Sequence, residues 1–146
     1  MAVTLNLKIS GTRRVMKAFR TLSGGRQRKA IRTALAKAAT PMVREVKRNA
    51  PVQTGALKRS IGRKTETRGQ LIRLRLGPKA DYVGPGNRRP VRYAHLVELG
   101  HGGPGPAPAK PFMRPALQAK REEVKQIFSR EFAAAVLRIA AQQRRR

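Results

Sequence analysis

His95, Glu98 and His101 are the one group in this sequence whose types and spacing suggest chemistry. A carboxylate three residues after one imidazole and three before another could hold a metal. Positions three apart share a helix face, so His95 and Glu98 could converge. His101, however, follows Gly100 in a Gly/Pro-rich run, and a zinc site needs a third or fourth ligand that nothing here supplies. The chain has no Cys, which excludes thiolate nucleophiles, disulfides, iron–sulfur clusters and Cys-based zinc sites. The seven acidic residues stand singly apart from Glu122–Glu123, so no carboxylate pair or Ser/His/Asp arrangement emerges. The expectation is a protein with no cofactor, no metal and no enzymatic activity, in which Glu98 pairs with an arginine.

The run GHGGPGPAPAKP, Gly100 to Pro111, resembles a phosphate cradle only in its glycines. A P-loop requires GxxxxGK[ST] between a strand and a helix, and this run has neither the Lys–Ser/Thr end nor the strand. It reads as an extended arm or hinge.

Charge is the dominant compositional fact. Thirty-four Lys and Arg face seven Asp and Glu, a formal net charge of +27 on 146 residues. Self-repulsion on this scale favours polyanionic company. Arg outnumbers Lys by 23 to 11, and the guanidinium fork suits phosphate or carboxylate. Aromatics are 4% with no Trp, which argues against a base-stacking platform. Nothing resembles a helix-turn-helix, zinc finger or basic zipper. Basic residues are spread over every kind of element, which suits contact with a backbone rather than sequence reading. No apolar run approaches the roughly 20 residues of a membrane span, and MAVTLNLKIS lacks a signal peptide's apolar stretch. Synthesis and action in a cytoplasm, with no membrane partner, are expected.

The elements that must carry these residues follow from periodicity. Val3, Leu5, Leu7 and Ile9 alternate with polar residues, predicting a half-buried strand. Val15, Phe19 and Leu22 predict a short helix ended by Ser23–Gly24–Gly25. A long helix is expected from about Arg26 to Asn49, with Ile31, Ala34, Leu35, Ala38, Met42, Val43 and Val46 on its apolar stripe. Pro41 should kink it; a break with Thr40 as a new N-cap is the alternative. Thr54–Gly55 opens a helical turn through Leu57. A hairpin follows, with arms Ser60–Arg68 and Leu71–Leu76 about a Gly69–Gln70 turn, its Ile72, Leu74 and Leu76 on one face and Arg73 and Arg75 on the other. Gly77–Pro90 reads as a loop and Tyr93–Leu99 as a short ordered stretch. A second long helix spans about Met113 to Ala141, with Leu117, Val124, Ile127, Phe128, Ala135 and Ile139 inward. The fold class is α+β: a small antiparallel sheet packed against two long helices, with long Gly/Pro-rich loops, in a single domain over 1–146 whose residues 143–146 are expected to be a frayed basic tail.

Two stretches together carry a resemblance: AKAATPMVREVKRNAPVQTGALKRSI, residues 36–61, and YAHLVELGHGGPGPAPAKPFMRPAL, residues 93–117. A helix ending in AP, then TGxLxxSI, YAxxVExG and PFMRPAL opening a helix, is similar to the HK97 gp10-like family of tailed-phage proteins over about residues 5–140. The resemblance carries over Asn49, Ala50, Pro51, Thr54, Gly55 and Leu57 as the helix-to-sheet junction. It also carries over Tyr93, Ala94, Val97, Glu98 and Gly100, and Pro111, Phe112, Met113, Pro115 and Ala116 at the start of the second helix. Gly100–His101 stands where the family usually has GT, and GNRRP looks extra.

The resemblance implies a tail-completion or head–tail joining protein of the neck. It would form a homo-oligomeric ring, a hexamer by preference, beside stopper, terminator or tail-tube rings, with non-specific contact to packaged DNA. Its place would be the virion, after synthesis in the host cytoplasm. Six copies would carry +162, a charge that DNA or acidic neighbours must offset. Arg73, Arg75, Arg88, Arg89 and Arg92 are the expected contacts to DNA or an acidic ring face. Tyr93, Glu98, Gly100, His101, Pro111 and Phe112 are the expected loop contacts between subunits. A non-specific nucleic-acid-binding protein is the alternative.

Overall fold

The computed structural model describes residues 13–69, 71–103 and 105–144. The alternating segment Val3–Ile9 lies outside the described residues. Helix α1 (Arg13–Arg20) buries Val15. Helix α2 (Gly24–Asn49) starts two residues before the expected position and runs through Pro41 as one element. The two-helix alternative is not adopted: the Thr40 hydroxyl donates to the Ala36 carbonyl of the same helix and accepts from Arg63 Nη1 at 2.7 Å.

The interior is built along α2 and the last helix, α5 (Met113–Arg144). Ala30, Ala34 and Ala38 are fully buried at four-residue intervals on α2. Their small side chains leave room for Phe128, Phe132 and Val136 of α5, all buried. With Val124 these make an i, i+4 row, the ridge by which one helix seats against another. The rings of Phe128 and Phe132 stack at 5.8 Å, and Phe19 from α1 tilts onto Phe132 at 5.3 Å. Each buried phenylalanine contributes about 1.5–3 kcal/mol. The expected stripe omitted Ala116, Phe132 and Val136 and included Leu117 and Ile127, which are only half-buried. Lys37 bridges to Glu131 across the two helices at 2.6 Å, and that ammonium holds the Glu131 carboxyl below the usual carboxylate range.

Helix α3 (Ala56–Ser60) leads into an antiparallel hairpin, β1 (Ile61–Arg68) and β2 (Leu71–Pro78), in the register Ile61 opposite Pro78 and Arg68 opposite Leu71. Residues directly opposite share a face. The face of Arg63, Thr65, Ile72, Leu74 and Leu76 lies toward α2, where Arg63 reaches Thr40 and Arg32 Nη1 reaches Thr67 Oγ1 at 3.4 Å. The other face carries Lys64, Glu66, Arg73 and Arg75. Glu66 pairs with Arg75 at 3.2 Å and with Lys64 at 3.7 Å. The architecture is α+β, with the two long helices and the small antiparallel sheet packed together. After a single 3-10 turn at Pro85–Asn87, helix α4 (Pro90–Leu99) begins three residues before the expected ordered stretch. Proline suits that first position, because its φ is preset and its missing N–H would have had no partner.

Candidate functional site

Three segments meet around an open groove of about 680 Å³, the first of them distant in sequence from the other two. One wall is the α2–α3 junction, where Pro51, Thr54, Gly55 and Leu57 line it; Gly55 takes φ 71°, the left-handed conformation that starts α3. The second wall is α4, through Tyr93, Leu96 and Val97, with Arg88 just before it. The third is the arm after Gly100, through His101, Ala107, Pro108 and Lys110. Burial pushes the Tyr93 phenol up from its ordinary pKa, and the Arg88 charge pulls it the other way. Val52 and Leu96 leave 68% and 37% of their surface exposed at the groove, and Leu99 at the end of α4 leaves 52% exposed.

The arm is tied down rather than free. His101 and Ala107 exchange two backbone hydrogen bonds of 3.0 Å, and Lys110 N–H donates to the Val97 carbonyl at 2.8 Å. Gly100 makes this return feasible. Its φ is 73°, and a Cβ there would stand 2.7 Å from the Ala109 nitrogen and 2.9 Å from the Ala107 oxygen. Composition alone pointed to an extended arm; backbone pairing between its two ends is what composition does not reveal.

Glu98 has a different role from the expected ion pair. It is 2% exposed, and its partners are backbone amides. Oε2 accepts from Phe112 N–H at 2.7 Å and Met113 N–H at 2.9 Å, and Oε1 from Arg114 N–H at 3.0 Å. The first amides of a helix have no acceptor within it, and that end is electropositive. A buried carboxylate accepting three such bonds satisfies both demands. It also locks α4 to the start of α5, with the arm held between them. No arginine pairs with Glu98 among the described residues.

The His95–Glu98–His101 spacing does not make a site: His95 is exposed while Glu98 is buried. Among the described residues no three His, Asp or Glu side chains are placed to hold a metal ion. Of the expected loop contacts, Glu98 and Phe112 are buried in their own subunit, Tyr93 and His101 line the groove, Gly100 shapes the turn and Pro111 is exposed. Of the five arginines, Arg73 and Arg75 lie on the outer hairpin face, and Arg88, Arg89 and Arg92 are exposed around the start of α4. Sequence reasoning missed Val52 and Leu96, because a lone exposed apolar residue has no periodic signature.

The groove joins the two stretches that carried the resemblance. Pro51, Thr54, Gly55 and Leu57 from the first stretch face Tyr93 and Val97 from the second. The sequence model of the HK97-gp10-like family, bacteriophage tail-component proteins, matches residues 13–100. The chain belongs to this family. The match covers α1 to α4 and two of the groove's three walls, a shorter span than the resemblance over about residues 5–140. No curated protein and no solved structure matches the chain. Membership of the HK97-gp10-like family makes this a phage structural protein, a tail component whose partners are other phage structural proteins and whose setting is the virion. No helix among the described residues is long and apolar enough to cross a membrane.

Proposed function

We propose that this tail component is a ring-forming tail-completion or head–tail connector subunit that joins tail to head around the DNA channel. The observation that carries the reading is the groove. Family-matched residues build two of its three walls, and apolar side chains stand exposed at it. A ring needs a heterologous contact, in which one surface of each copy receives a different surface of the next. The groove, with Val52, Leu96 and the tied-down arm, supplies the receiving surface, and its occupant is a neighbouring copy; the hexamer remains the preferred stoichiometry. Arg73, Arg75, Arg88, Arg89 and Arg92 face DNA in the channel or an acidic ring above or below. The whole chain acts as one wedge of that ring and has no catalytic role. The alternative of a free non-specific nucleic-acid binder draws on the same +27 charge but leaves the exposed apolar groove without a purpose.

The test is removal and complementation in the phage or prophage that encodes the chain. Deletion should leave filled heads and separate tails, and the wild-type chain should restore joined particles. The double variant Val52→Asp/Leu96→Asp should lower joined particles at least tenfold while the purified protein keeps its helical circular dichroism. Joined particles at full yield without the chain, or its absence from purified particles, would refute the connector role.

A further inference from the structure

A second, smaller cleft of about 420 Å³ lies on the far part of α2, where its first turns meet the hairpin. Gly25, Arg28, Lys29, Arg32, Thr33 and Thr67 line it. The three basic side chains are exposed, and none of them pairs with an acid among the described residues. The Arg32–Thr67 hydrogen bond joins its two walls.

The charge environment is one-sided. The first acidic residue of the chain is Glu45; the 44 residues before it hold eleven Lys and Arg. Arg28 and Arg32 stand one turn apart, as do Lys29 and Arg32, and like charges at those spacings destabilise a helix. Acids offset a minority of the cations elsewhere among the described residues. Glu66 covers Lys64 and Arg75, Glu122 covers Lys125, and Glu123 covers Lys120. The cleft has no such offset.

We propose that this cleft is a binding site for the phosphodiester backbone of nucleic acid, gripped without sequence reading. Arginine, lysine, threonine hydroxyls and exposed backbone are the groups that contact phosphate and sugar, and they are what the cleft presents. Among the described residues, no apolar or aromatic side chain lines it. A protein partner would be expected to anchor on such groups, and the groove on α4 has them. The inference goes beyond the connector reading and stands without it: strand binding is a property of the isolated chain, whereas the connector role is judged in particles.

The test uses the full chain and a fluorescein-labelled 20-base-pair duplex of arbitrary sequence, followed by anisotropy between 50 and 300 mM NaCl. The variant Arg28→Gln/Lys29→Gln/Arg32→Gln is compared with Lys120→Gln/Lys125→Gln/Arg130→Gln, which removes the same formal charge from acid-paired sites on α5. Losing three phosphate contacts should flatten the slope of log affinity against log salt by about 2.7 and weaken binding at least tenfold at 100 mM. The α5 variant should stay within about threefold of wild type. Equal losses in the two variants would mean that only net charge matters and would overturn the site. So would an unchanged slope in the cleft variant. Displacement of the duplex by polyglutamate as effectively as by unlabelled duplex would also overturn it, assigning the cleft to an acidic protein. Melting curves and circular dichroism keep folding in view; the cleft variant should melt no lower than wild type, because it removes like-charge repulsion.

Discussion

The two long helices begin in opposite ways. At the start of α5, a carboxylate from another helix accepts hydrogen bonds from three successive amides and is buried in doing so. At the start of α2, Ser23 holds the N-cap position with extended dihedrals, yet its side chain makes no capping bond and the first turn contains no acid. Arg26, Arg28, Lys29 and Arg32 crowd that end instead. Both helix ends present the same unpaired amides and the same positive pole. One is satisfied from within the subunit and serves as a structural joint; the other is left open to solvent. In a chain of net charge +27, where acids are scarce, the placement of seven carboxylates is more informative than the number of cations. The one spent entirely on a helix start fixes the corner that frames the groove.

The largest effect is expected at that corner. Glu98→Ala leaves two buried amides and one half-buried amide without an acceptor, each worth about 1–3 kcal/mol. The expected loss is about 3–5 kcal/mol in urea unfolding at pH 7, a large part of a typical domain's stability. Glu98→Gln keeps one acceptor oxygen but loses the charge and should cost about 1–2 kcal/mol. An alanine variant within 1 kcal/mol of wild type would show that the joint is not structural and erase the contrast between the two helix starts.

A smaller effect is expected one turn away, at Gly100. A methyl group there would sit against the backbone of Ala107 and Ala109 in a left-handed conformation, and Gly100→Ala should cost about 2 kcal/mol. The cost should be local. Amide exchange at His101, Ala107 and Lys110 should accelerate strongly while that of α2 and α5 changes little, because the arm is held to the subunit by few bonds. Uniform acceleration across the chain would mean that arm and helices open together.

Legibility in the sequence divides along the same line. The hairpin, its turn and both long helices follow from local periodicity and were readable within a few residues, including the passage of α2 through Pro41. The fold class was readable for the same reason, and the family from the resemblance carried by residues 36–61 and 93–117. What was not readable depends on partners distant in sequence. Glu98 looked like half of an ion pair because charge counting sees only side chains, whereas its partners are amides fourteen to sixteen residues on. Phe132 and Val136 were missed because the ridge that α5 turns inward is selected by the alanines of α2. The two signature stretches were read as separate junctions, and only the fold brings them to one groove. The basic cleft was hidden by its own abundance: Arg28, Lys29 and Arg32 are three among 34 Lys and Arg.

The smallest effect tests the open end directly. Arg26 is the third residue of α2, so Arg26→Glu creates a Ser-x-x-Glu capping box with Ser23. It also puts a negative charge at the positive end of the helix and removes one cation from a crowded turn. The expected gain is about 0.5–1 kcal/mol, seen as a rise of about 2 °C in Tm that shrinks at 0.5 M NaCl. The matching exchange on α5, Arg114→Glu, should instead destabilise by a similar amount, since its amide already donates to Glu98 and a second carboxylate there meets a like charge. Opposite signs from one substitution type at two helix starts would separate an end already occupied by an anion from one that lacks it. Equal signs would mean that the fields at the two ends are alike, and that the buried carboxylate acts through hydrogen-bond geometry alone.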